Sequence, residues 1–82
     1  MTTAYLRVEA QGEDISQILL AIKASGNGLV ESLETGSWRH EVRGIVYNIK
    51  GTVQGTVVQL ANFLRELAGI SGVRWFETLF EL

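Results

Sequence analysis

Ile70-Ser71-Gly72-Val73-Arg74-Trp75-Phe76-Glu77-Thr78-Leu79-Phe80-Glu81-Leu82 is the stretch that decides the fold. A helical pattern from Thr56 to Ala68 stops at Gly69, just before it. The segment is aromatic, apolar and alternating, which reads as a strand laid inside a sheet. Alternation is expected to turn Phe76, Phe80 and Leu82 toward covering helices and Val73, Trp75 and Leu79 away from them.

Upstream, Thr56-Val57-Val58-Gln59 has the form of a capping box. Val57, Leu60, Ala61, Leu64, Leu67 and Ala68 then make a helical stripe, with Asn62, Arg65 and Glu66 off it. Val42 to Lys50 reads as a strand with Ile45, Tyr47 and Ile49 on one face and Val46 and Asn48 on the other. Gly44 within it suggests a bulge or a close backbone approach. Gly51 to Gly55 is expected to be the following loop.

Leu29 to Thr35 suits a short strand or a continued helix. The strand is favoured because Gly26 and Gly28 have just broken the helix and Gly36 follows as a turn. Ser37 to Glu41 is expected to be a hairpin loop or a ragged strand end. Near the start, Leu6, Val8 and Ala10 alternate with Tyr5, Arg7 and Glu9 as a half-buried strand that Gln11-Gly12 ends. Asp14 then caps a helix, with Gln17 placed to complete a capping box and Ile15, Ile18, Leu19 and Ile22 as its apolar stripe. Gly26-Asn27-Gly28 ends that helix.

The order is strand, helix, strand, strand, helix, strand. It predicts one α+β domain over residues 1–82, a ferredoxin-like βαββαβ sandwich. Its four-stranded antiparallel sheet would carry both helices on one face. The length of 82 residues suits one small domain.

Composition narrows the function classes. There is no Cys, which removes disulfides, thiolate nucleophiles and Cys-based zinc sites. A net charge of −2 gives no footprint for nucleic acid or anionic membrane. Met1 to Ala4 has no basic and apolar leader pattern, and no apolar run approaches a membrane span. The expectation is a cytoplasmic protein with no nucleic-acid or membrane partner.

Helices on one face leave the other to be explained. Tyr5 and Val46 would join Val73, Trp75 and Leu79 there as an apolar patch. Such patches mark interaction sites, and the simplest partner is a second copy, giving a dimer or a higher homo-oligomer.

These residues resemble the effector domain of the leucine-responsive and asparagine-operon regulator family, the regulation-of-amino-acid-metabolism domain. Phe63-Leu64-Arg65-Glu66-Leu67 is similar to that family's second helix. Ile70-Ser71-Gly72-Val73-Arg74 is similar to its proline-glycine-valine turn, with Ser71 where proline is usual. Glu77-Thr78-Leu79 and Leu82 match its closing strand, and Tyr5 to Glu9 its first. Val30 to Gly36 resembles its second strand and the turn after it. Gly-Val turns also occur in the related, small-molecule-binding ACT type. The turn aspartate is absent, and Gly36 to Lys50 is a few residues longer than in the family. The resemblance implies a stand-alone, non-enzymatic effector domain that dimerises through its sheet. It places a small effector such as an amino acid near Thr35, Gly36, Trp38 and His40.

Other chemistry is thinner. Gly51-Thr52-Val53-Gln54-Gly55 resembles the phosphate loop of acylphosphatases, but Gln59 stands where that family needs arginine. His40 is the single histidine and sits beside Glu41 with no second ligand or nucleophile at a telling spacing. Its simpler reading is a solvated loop side chain. Glu9, Glu31, Glu34 and Glu77 are candidates for paired carboxylates only if the fold gathers them. Trp38 and Trp75 could stack bases, yet the chain lacks a basic surround. No catalytic residue, metal site or cofactor is expected. The leading expectation is a small regulatory or effector-sensing module that self-associates through its sheet. An adaptor for a different protein is the alternative; an acylphosphatase-like hydrolase and an RNA-binding sheet rank behind it.

Overall fold

A computed structural model describes residues 2–11, 14–26 and 28–81, without the side chain at 81. The elements are β1 (Thr2–Gln11), α1 (Ile15–Gly26), β2 (Val30–His40), β3 (Gly44–Gly55), α2 (Val57–Ala68) and β4 (Val73–Glu81). The strands pair antiparallel in the order β2-β3-β1-β4. This is the α+β, ferredoxin-like βαββαβ fold that the sequence predicts. Gly12, Asn27 and Leu82, each given a role above, lie outside the described residues.

Local chemistry sets the helix ends. The Asp14 carboxylate accepts from the backbone N–H groups of Ser16 and Gln17 at 3.0 and 3.3 Å. Thr56 and Gln59 form a complete capping box, each side chain accepting from the other's backbone N–H. Four otherwise orphaned donors are satisfied in this way.

The core lies between the helices and the central strands. Ala4, Leu6, Val8 and Ala10 of β1 and Ile49 and Val53 of β3 meet Ile18 and Ile22 of α1 and Leu60, Phe63 and Leu67 of α2. The α2 stripe is rotated from the expected one. Phe63 is 1% exposed, whereas Val57 is 65% exposed and Ala61 and Ala68 also face solvent. Reading the stripe from the first valine set the phase wrong; the bulky aromatic one turn before Leu67 carries the contact.

The β2–β3 hairpin is longer than expected. Gly36 is no turn; it pairs with Asn48 in mid-strand, and β2 runs on to His40. The turn is Glu41-Val42-Arg43, and Gly44 follows at φ +80°, a conformation that glycine adopts readily. Residues 51–55 are the second half of β3, not a loop, so they form no phosphate cradle. Gly51 is there because β2 comes close: an added Cβ would sit 2.6 Å from both Leu33 Cδ2 and Ser32 O.

Candidate site on the open sheet face

Opposed residues in an antiparallel pair share a face, so the register places every side chain. On the face without helices the side chains fall into rows across the strands. One row is Ser32, Thr52, Tyr5 and Leu79; the next is Glu34, Lys50, Arg7 and Glu77; the third is Gly36, Asn48, Glu9 and Trp75. A fourth, at the hairpin end, is Trp38, Val46 and Gln11.

The expected apolar patch is therefore smaller than the alternation suggested. Tyr5, Trp75 and Leu79 do face outward and are 48%, 43% and 70% exposed. Val73 does not: it packs against the core. Arg74 is the extra residue where β4 shifts register between Glu9 and Ala10, which turns Val73 to the helix side. Phe76 packs on the core as expected, but Phe80 is 40% exposed although it shares the helix side with buried Ala4. Val46 lies on the open face yet is fully buried and separate from the main core. Trp38 and Gln11 flank it in register, and the Arg43 side chain crosses this corner to reach Gln11 and Glu9.

The middle of the face is a groove of about 670 Å³. Its chemistry comes from Tyr5, Arg7, Glu34, Lys50, Thr52 and Glu77, with Leu79 at its edge. Two cations, Lys50 and Arg7, stand side by side on the central strands, and one carboxylate flanks each on the outer strands. Arg7 Nη1 lies 3.5 Å from Glu77 Oε1, and both side chains are more than half exposed. Ser32 Oγ and Thr52 Oγ1 are 3.3 Å apart at one end. The row is balanced in charge, so it suits a ligand that carries both signs better than a simple anion.

Of the residues expected to hold an effector, Trp38 and His40 come together at the hairpin end, outside the groove, and Thr35 does not join them. Thr35 pairs with Ile49 on the helix side, while Gly36 and Trp38 lie on the open face. His40 closes the hairpin: its Nδ1 accepts from the Val42 and Arg43 backbone N–H groups, each at 3.1 Å. Its ring lies 5.6 Å from that of Trp38. Glu34 and Glu77 sit on opposite edge strands with both cations between them, and Glu9 is bonded to Arg43, so these are not paired carboxylates for acid–base chemistry. Among the described residues no group of three or more His, Asp or Glu is placed to hold a metal. None of the described helices is long and apolar enough to cross a membrane.

No family model matches the chain, and no curated protein matches it. Solved structures do. The chain is similar to the C-terminal domain of the MgtC protein from Mycobacterium tuberculosis, with a TM-score of 0.65 and 15% identity over 99% of this chain and 88% of that one. It is also similar to the ACT domain of the GTP pyrophosphokinase from Chlorobium tepidum, with a TM-score of 0.62 and 14% identity over 94% and 96%. The fold is ACT-like. At these identities the likeness is one of architecture. It shows an ACT-like architecture and nothing finer.

Arg7 and Lys50 are the site residues that sequence reading missed. Arg7 was visible as an off-core position of β1. Lys50 reads from the sequence as the end of its strand, and only the register of an ACT-like sheet sets it beside Arg7.

Proposed function

We propose that this chain is a non-enzymatic regulatory module that senses a small effector in the groove of its open sheet face. The observation that carries this reading is the row Glu34, Lys50, Arg7 and Glu77. The row sets cations beside carboxylates on adjacent strands, so both charged groups of an amino acid would find an opposite charge there. Lys50 or Arg7 would take the carboxylate, an outer glutamate the ammonium, and Tyr5 and Leu79 the side chain. The groove's volume lies in the range of small-molecule sites. The ACT-like architecture supports the same reading. An exposed charged row through the centre is poor material for a face-to-face dimer, whose core excludes charge. The face is therefore assigned to a ligand, and to an adaptor's partner only as the second choice. The lack of Cys fits work in the cytoplasm.

Titration calorimetry against a panel of free amino acids tests the proposal. The expected result is heat with at least one of them, and a loss of affinity of roughly tenfold or more in both Arg7→Ala and Lys50→Ala. Silence from the whole panel, or binding indifferent to both substitutions, removes it.

A further inference from the structure

The two edges of the sheet are unlike each other. The β2 edge is polar: Glu31, Ser32, Glu34, Thr35, Ser37 and Arg39 are all exposed, and Glu31 interrupts its register. Charges and bulges of this kind keep an edge from pairing with another chain. The β4 edge has little such protection. From Trp75 to Phe80 its register with β1 is regular, and Glu77 is the one charge in that run. The irregularity at Arg74 lies before it. Each face of this edge carries an under-covered apolar side chain. Leu79 is 70% exposed on the open side, and Phe80 is 40% exposed on the side the helices should cover.

We infer that β4 pairs antiparallel with β4 of a second copy, about a two-fold axis through Thr78 and perpendicular to the sheet. An axis of that direction keeps both pairs of helices on one side and gives a continuous eight-stranded sheet. The choice of Thr78 follows from the side chains. In this register Phe76 lies opposite the second copy's Phe80, and Phe80 opposite its Phe76, so the exposed ring gains a cross-strand aromatic neighbour on the side where it lacks cover. On the open side Glu77 lies opposite Leu79, and Thr78 meets Thr78 on the axis. No like charges stand opposed. Moving the axis to Glu77 sets two carboxylates face to face, and moving it to Phe76 leaves Phe80 opposite Gly72, beyond the strand. The inference goes beyond the effector reading and does not depend on it. The groove stays open on each protomer, with the second copy's Leu79 brought to its Glu77 edge.

The absence of native Cys makes the register directly measurable. Residues opposed across an antiparallel pair have Cα atoms about 4.5–5.5 Å apart, within disulfide reach. Diagonal neighbours are roughly 7–8 Å apart and fall outside it. Under mild oxidation, Thr78→Cys is expected to give covalent dimer quickly and Leu79→Cys slowly or not at all. Sedimentation of the unmodified chain at tens of micromolar is expected to show dimer. Phe80→Glu should weaken that dimer roughly tenfold or more while the circular dichroism spectrum is retained. A monomer at every concentration overturns the inference, as does cross-linking that favours Leu79→Cys. Complex formation only with a foreign strand overturns it too.

Discussion

The guanidinium of Arg43, in the β2–β3 turn, lies 2.9 Å from the carboxylate of Glu9 on β1, 34 positions earlier in the chain. The same arginine is bound twice more to β1, its Nε donating to Gln11 Oε1 and its carbonyl accepting from Gln11 Nε2. The corner of the open face above Val46 is thus tied to β1 as well as to its own hairpin. The pair is also better shielded than Arg7–Glu77: the Arg43 and Glu9 side chains are 32% and 14% exposed, against 56% and 60%.

Arg43→Ala should therefore cost about 1–3 kcal/mol, since it leaves a half-buried carboxylate without its charged donor. Arg7→Ala should cost less than about 1 kcal/mol, as exposed pairs do. Urea unfolding of both variants checks the contrast, and equal losses would count against the clasp.

Phe63 of α2 and Phe76 of β4 pack on one core from opposite layers of the fold. Phe63 is fully enclosed, so Phe63→Ala should cost about 3–5 kcal/mol, a large share of the stability of so small a domain. Phe76 packs on the same core but remains half-buried, and Phe76→Ala should cost roughly half as much. Thermal and urea denaturation order the two, and the reverse order would refute the α2 phase described above.

Gly51 tests the closeness of β2 and β3. Its missing Cβ would meet a backbone oxygen, which cannot swing aside as a side chain can. Gly51→Ala should destabilise by about 1–3 kcal/mol. At Gly36, where an added Cβ meets nothing within 4 Å, the same change should be close to neutral. The comparison is a pair of denaturation curves.

The legible parts of this fold were those with a local cause. The period of β1, the stripe of α1 and the caps at Asp14 and Thr56 are each written within a few neighbouring residues. The hairpin's length was not legible because the middle of β2, Thr35-Gly36-Ser37, lies at an edge, exposed and without apolar alternation. Val73 was misjudged because one unpaired residue, Arg74, reverses the alternation that the reading relied on. The groove was hidden for a further reason. Its central row joins residues as far apart as Arg7 and Glu77, 70 positions in sequence, and that adjacency exists only through the pairing of strands.

The strand order bears on how the chain reaches this structure in time. β1 is first in sequence but sits between β3 and β4, whereas β2 and β3 are joined by a three-residue turn. Closing the long loops that bring β3 and β4 to β1 costs more chain entropy than closing the hairpin. The hairpin should form within microseconds, while β1 waits unpaired for partners from the far half of the chain. Pulse-labelled hydrogen exchange during refolding should find the amides of Lys50 and Thr52 protected before those of Leu6 and Val8. The first strand of the chain is then enclosed late, and the interval before its enclosure is when this chain is most open to misassembly.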